Sequence, residues 1–291
     1  MTERSIGSAF EELLARHVPS DRERTAATSH RASVEKALSS VENYGLRETG
    51  SFRHGTAVRG HSDVDVIVSL RGVRPASPDT ALNNVRNALI KTFVFTPIRV
   101  SRPAVVVDFA GGAERWEVIP AYYRRKVGEH VVYSIPAPGG GWMETAPSAH
   151  LTYVTNANRL PSGGAKGLAR LVKTWKYANP TSARALSSFY LEMRAAQRMQ
   201  RESSFIPYLD FAYLMRDLAS SKLADMNDPT ELTGRIRAAS TEPYRATALA
   251  TLSADAKRVA DAIDLEKAGR RGEAWDKLNY VFPGVFPSRF Y

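Results

Sequence analysis

Gly50-Ser51-Phe52-Arg53-His54-Gly55-Thr56-Ala57-Val58-Arg59-Gly60-His61-Ser62-Asp63-Val64-Asp65-Val66-Ile67-Val68 is the stretch on which the reading of this chain turns. Val64 to Val68 is a compact β-branched run of the kind that forms a buried strand. In a strand, residues i and i+2 project from the same face, so Asp63 and Asp65 are expected side by side while Val64 points into the core. Two like charges that close repel, and burial raises a carboxyl pKa. A divalent cation removes the conflict, because Mg²⁺ takes hard oxygen ligands and is usually held by one or two carboxylates together with substrate phosphates. The pair reads as metal ligands awaiting a phosphate. Gly50-Ser51 opens a Gly-containing loop upstream of it. Glycine lets backbone approach an oxyanion closely, exposed N–H groups can form an anion-binding nest, and the Ser51 hydroxyl adds a donor for terminal phosphates. The plainer alternative is a surface loop leading into an ordinary strand that happens to end in Asp residues.

Before this stretch, Phe10, Leu13, Leu14 and Val18 recur at helical spacing over 6–18. Pro19-Ser20-Asp21 is an N-cap signal for a longer helix running toward Asn43-Tyr44-Gly45. After it, Leu82 to Thr92 has helical spacing. Pro103 to Phe109 and Arg115 to Ile119 read as strands flanking Ala110-Gly111-Gly112-Ala113, a hairpin signature. A turn at Gly111-Gly112 sets Val106 opposite Glu117 and Asp108 opposite Arg115, which puts Asp108 and Glu117 on one face, diagonal to each other. Residues 136–150, with three Pro and a Gly139-Gly140-Gly141 run, read as loop or linker. Helical patterns follow near 151–159, 165–178, 186–201, 208–221, 230–238, 244–268 and 271–280. The expectation is a mixed α/β lobe over 1–150 and an all-helical lobe over 151–291.

Composition narrows the classes. The 291 residues are enough for two ordinary domains or one large one, with a sizeable core. With no Cys, disulfide frameworks, thiolate nucleophiles and Cys-ligated metal sites are excluded. No apolar run approaches membrane-spanning length and Met1 to Phe10 lacks a signal-peptide core, so no membrane insertion and a cytoplasmic location are expected. A net charge of +10 gives a surface attractive to polyanions.

The Gly-Ser followed at fixed distance by Asp-x-Asp resembles the fingerprint of the polymerase-β-like nucleotidyltransferases. Its form here, with Gly55-Thr56 and Ser62 before Asp63, most resembles the CD-NTases (cGAS/DncV-like nucleotidyltransferases), the bacterial relatives of oligoadenylate synthases and cyclic GMP–AMP synthases. Val118-Ile119-Pro120-Ala121-Tyr122, Leu168 to Trp175, Leu186 to Glu192 and Val281 to Pro287 are similar to further family segments in family order, so the resemblance covers nearly the whole chain. It implies an α+β fold: a nucleotidyltransferase lobe with a small twisted mixed sheet, an all-helical C-terminal lobe and a long N-terminal spine helix. It implies an enzyme that joins NTPs into a cyclic di- or oligonucleotide second messenger with release of pyrophosphate, using Mg²⁺ with Mn²⁺ able to substitute. A third carboxylate is required by the family's two-metal chemistry. Glu117 holds the position by resemblance, although the family usually has Asp there, and Asp108 is the alternative unless it pairs with Arg115.

The same resemblance assigns nucleotide contacts to Gly50, Ser51, Lys173, Ser188 and Phe189, the last as the aromatic on which a base stacks. Lys166, Arg170 and Lys173 fall on one helix face. Asn158, near where relatives cover the base, has the paired donor and acceptor that read a base edge, with helix capping as the bland alternative. A downstream cyclic-nucleotide-activated effector and a role in antiphage (CBASS) signalling are implied, with a nucleic acid or protein activator on the basic surface. The competing expectations are an RNA- or tRNA-directed terminal nucleotidyltransferase, since archaeal CCA-adding enzymes share much of the motif, and a catalytically silent relative that senses nucleic acid or a partner.

Overall fold

Val64 to Leu70 does form a strand, and the sheet assembles around it. The structure, a computed structural model, describes residues 3–61, 63–110, 114–160, 163–183 and 185–290, without the side chain of Ala27; Ser62 and the expected Gly111-Gly112 turn lie outside them. The sheet contains β1 (Asn43–Thr49), β2 (Val64–Leu70), β3 (Ile98–Ser101), β4 (Ala104–Phe109), β5 (Glu114–Val127), β6 (His130–Pro136) and β7 (Trp142–Thr145). Their order is β1-β2-β5-β4-β3, with β6 and β7 continuing from the far end of β5. Only β2 and β5 run parallel; the other pairs are antiparallel, so the sheet is mixed as expected.

Alternation gives the sheet two faces. Val64, Val66, Val68 and Leu70 of β2, with Val105, Val107, Trp116 and Val118, pack against α3 (Arg31–Ala37) and α5 (Pro78–Thr92). Helix α5 follows a Ser77 cap and Pro78 and buries Ala81, Leu82, Val85, Ala88 and Leu89, a single apolar stripe. The opposite face carries Ile67, Ile119 and Ala121, and by the same alternation Asp65 and Glu117.

The chain divides into two compact units. One comprises Pro19–Thr152 and Thr230–Gly234, and the other the chain up to Val18, Tyr153–Pro229 and everything from Arg235 on. The sequence boundary at 150/151 therefore needs two corrections. Helix α1 (Ile6–Arg16) belongs with the helical unit because Phe10 sits among Phe211, Phe282 and Phe286, with ring centroids 5.7, 5.8 and 5.7 Å away. The expected helix over 230–238 is absent. Glu231 has a positive φ, Arg125 Nη2 donates to the Leu232 carbonyl at 2.8 Å, and Leu232 packs on Val132, Ala146 and Ala149. Within the helical unit, β8 (Met226–Asn227) pairs with β9 (Arg235–Ile236), so that unit is not entirely helical.

The N-terminal spine is also shorter than expected. It breaks at His30 into α2 (Asp21–Ser29) and α3, followed by a 3₁₀ turn at Leu38–Ser40. The break falls where the His30 ring stacks on Phe109 at 3.9 Å and its Nε2 meets Glu114 at 3.0 Å. Residues 136–150 are not a linker either, since they hold β7 and the start of α6 (Pro147–Arg159).

The helical unit adds α7 (Gly164–Ala178), α8 (Ser188–Met199), α9 (Pro207–Ser220), α10 (Glu242–Lys267) and α11 (Arg271–Val281). Trp175 and Tyr190 are fully buried there, the former donating its indole N–H to Asp255 at 2.8 Å. Among the described residues no helix is long and apolar enough to cross a membrane.

Candidate active site

Three carboxylates converge on the sheet face opposite α3 and α5. Asp65 is the direct partner of Glu117 across the parallel β2–β5 pairing, and Asp63 lies just before β2. The β4–β5 hairpin has the register read from the sequence, Val106 opposite Glu117 and Asp108 opposite Arg115.

On the other flank, Thr49 of β1 pairs with Asp65, and the chain then turns sharply into the short helix α4 (Gly50–His54). Gly50 has φ +67°, and a Cβ there would lie 1.8 Å from Asp65 Oδ2. Only glycine lets the backbone turn this way with the Asp65 carboxylate against it. Ser51 is half-buried, and its hydroxyl makes no hydrogen bond among the described residues.

Electrostatics separates the two candidates for the third acid. Glu117 is half-buried and has no hydrogen bond or ion pair among the described residues. Burial pushes its carboxyl above the ordinary range, the negative charge of Asp63 adds to the rise, and Arg115 and Arg99 offset it only in part. Asp63 is also raised by burial, against the pull of Arg115, whose Nε is 3.9 Å from its Oδ1. Asp108 behaves differently. Arg115 Nε donates to its Oδ1 at 3.1 Å and Arg99 Nη1 to its Oδ2. Burial would raise Asp108, but these two guanidiniums outweigh it and hold the carboxyl below its usual range. Asp108 thus makes the ion pair with Arg115 that the sequence offered as its bland role. Arg99 was missed because β3 is a four-residue edge strand, mostly exposed and without an alternating pattern.

The helical unit revises two expected contacts. Lys173 is 2% exposed, with Nζ 2.6 Å from Glu192 Oε2. Its charge is buried and compensated within the fold, not presented to a triphosphate. One turn further along α7, Lys176 donates to Ser188 Oγ at 2.7 Å, with the Tyr177 hydroxyl 3.4 Å from the same oxygen. Asn158 Oδ1 accepts the Lys166 backbone N–H at 2.9 Å, satisfying an otherwise open donor in the first turn of α7. That contact is the helix-capping role the sequence offered for Asn158 as its bland alternative. Phe189 is partly buried against the helical core.

The donor set fits a hard divalent cation in kind: carboxylate oxygens only, with Asp63 and Glu117 both raised by burial and Glu117 further by the charge of Asp63. In their present positions, no three His, Asp or Glu side chains among the described residues are grouped closely enough to hold an ion.

A mixed sheet that turns Gly-Ser against an Asp-x-Asp strand, with a further carboxylate across the parallel neighbour, defines a nucleotidyltransferase fold of the CD-NTase class. Within that class the chain belongs to the family described as the Second Messenger Oligonucleotide or Dinucleotide Synthetase domain (SMODS), which matches residues 5–158. It is 27% identical over 191 residues to a cyclic AMP-AMP-AMP synthase of Acinetobacter sp., covering 60% of this chain and 51% of that protein. To a cyclic AMP-AMP-AMP synthase of Escherichia coli it is 26% identical over 214 residues, 68% of this chain and 66% of that one. The chain therefore matches between half and two thirds of the length of these curated relatives. The structure of E. coli MS115-1 CdnC with ATP has the same fold, with a TM-score of 0.79 over 97% of this chain and 99% of that one at 17% identity.

Proposed function

We propose that this protein joins nucleoside triphosphates on the acidic sheet face, releasing pyrophosphate and closing the product into a cyclic oligonucleotide second messenger. The observation that carries the reading is the direct pairing of Asp65 with Glu117, with Asp63 beside them and Gly50-Ser51 turned against the same carboxylate. The names of the relatives favour adenine as at least one base. Asp63, Asp65 and Glu117 would hold Mg²⁺, or Mn²⁺ in its place. Bound there, the metal would neutralise phosphate charge and acidify the attacking ribose hydroxyl.

One carboxylate of this set would take up the proton released from that hydroxyl, directly or through water. The Gly50-Ser51 backbone and the Ser51 hydroxyl would cradle the donor triphosphate. Lys176 and Ser188 would supply the helical unit's phosphate contact in place of Lys173, and Phe189 a stacking surface. Most of the acceleration would come from positioning and charge neutralisation. The product would act on a downstream effector in antiphage signalling in the cytoplasm, and the surplus of basic residues suits a polyanionic or protein activator.

The test incubates purified protein with all four NTPs and Mg²⁺ or Mn²⁺, alone and with RNA, DNA or phage-infected extract. Products are read by mass spectrometry after phosphatase treatment. A phosphatase-resistant oligonucleotide, absent with Asp63→Ala/Asp65→Ala, is expected. Extension of added tRNA without such a product would favour the terminal transferase instead.

A further inference from the structure

The acidic face has two flanks, and the proposed reaction uses one. The Gly50-Ser51 turn continues from β1, on one side of Asp65. On the opposite side, three strands build a relay of charge: Arg99 on β3 reaches Asp108 on β4, which accepts from Arg115 on β5. Arg115 leans over the carboxylates, its Nε 3.9 Å from Asp63 Oδ1. Only Nε is engaged. Its two terminal amino groups make no hydrogen bond among the described residues, and the side chain is 41% exposed. A guanidinium anchored through Nε keeps its terminal fork fixed and open, the geometry that grips a phosphate with two parallel hydrogen bonds.

A reaction that joins two nucleotides needs a second phosphate-bearing substrate, whose ribose hydroxyl must point at the carboxylates. We propose that Arg115, held by Asp108, binds a phosphate of the acceptor nucleotide and so selects acceptors that carry one. The assignment rests on the NTP-joining reading and deepens it. Asp108 is then a positioning residue, converted by its two arginines from a spare acid into an anchor. Were Arg115 only half of an exposed ion pair, its removal would change little.

The roles of donor and acceptor can be separated chemically. Dideoxy-ATP lacks the ribose hydroxyls and can only donate, whereas an α,β-methylene ATP can only accept. The experiment measures linear product from dideoxy-ATP and either α,β-methylene ATP or adenosine as acceptor, with Mg²⁺, for wild type, Arg115→Met, Arg115→Lys, Asp108→Asn and the double variant Asp108→Asn/Arg115→Met. Thermal unfolding of each is recorded.

For Arg115→Met we expect an acceptor KM raised about 10- to 100-fold, the loss of one charge-assisted contact, with the donor KM and the unfolding temperature unchanged. The wild-type preference for the phosphorylated acceptor over adenosine should disappear. Arg115→Lys should recover part of it. Asp108→Asn should raise the acceptor KM less, and adding it to Arg115→Met should do no further harm, as expected for two residues acting as a unit. An unchanged acceptor KM in Arg115→Met, an equal rise for donor and acceptor, or full additivity of the pair would overturn the assignment. A wild type that makes no product from either acceptor would instead overturn the NTP-joining reading, and this assignment with it.

Discussion

Glu117 and Lys173 are both charged groups drawn out of bulk water, and the fold treats them in opposite ways. Glu117 sits across from Asp65 with Asp63 nearby, no partner of its own among the described residues, and its proton affinity raised by burial and like charge. Lys173 is almost completely enclosed, but its ammonium meets Glu192 at 2.6 Å. A compensated buried charge is a structural element, whose removal leaves its partner stranded. A buried carboxylate that nearby arginines offset only in part is a liability for the fold, tolerated where a ligand supplies the missing opposite charge. The same contrast holds within the sheet, where Asp108 is neutralised by Arg99 and Arg115 and Glu117 is not.

The largest stability effect that would sharpen this contrast belongs to Lys173. Lys173→Ala should destabilise the protein by about 3–5 kcal/mol by breaking a buried ion pair, while Lys173→Met/Glu192→Leu should regain most of that loss. Urea denaturation reads both. A Lys173→Ala protein as stable as wild type but weak in nucleotide binding would return Lys173 to the role its family position suggests. Lys176→Ala should do the reverse. An NTP KM raised about 10-fold, with less loss of stability than Lys173→Ala, is the expected result, since one charge-assisted contact is lost. Unfolding at lower temperature with KM unchanged would make Lys176 structural too. The smallest effect is at Asn158, where Asn158→Ala should cost about 1 kcal/mol through the lost cap and leave the base composition of the product as it was. A changed base composition would restore Asn158 as a reader of the nucleotide.

What the sequence disclosed follows from how local each signal was. Val64 to Val68 announced its strand, and a turn expected at Gly111-Gly112 gave the β4–β5 register correctly, because both depend on near neighbours. Strands β1, β3 and β7 carry polar or exposed residues and exist as strands through their partners, so they left little local trace. The segment 230–234 showed how a tertiary contact overrides propensity: the Arg125 hydrogen bond and the packing of Leu232 draw it onto the sheet unit, while Arg235–Ile236 pairs with Met226–Asn227 in the helical unit. The acids were legible because i, i+2 alternation fixes their face. The lysines were not, since Lys173 and Lys176 are both buried on α7 and it is α8 that sets Glu192 beside one and Ser188 beside the other. The close approach of Gly50 to Asp65 was likewise invisible until β1 was paired with β2.

The central claim is that Asp63, Asp65 and Glu117 form the reacting acidic set and that Asp108 stands outside it. The most direct measurement compares product formation by wild type, Glu117→Gln and Asp108→Asn at saturating NTP and Mg²⁺. The account predicts a phosphatase-resistant product from wild type, its retention within about tenfold in Asp108→Asn, and a loss of about 10³-fold in Glu117→Gln. Loss in Asp108→Asn with retention in Glu117→Gln would contradict the assignment of the third acid, and silence of the wild type under every activating condition would contradict the function.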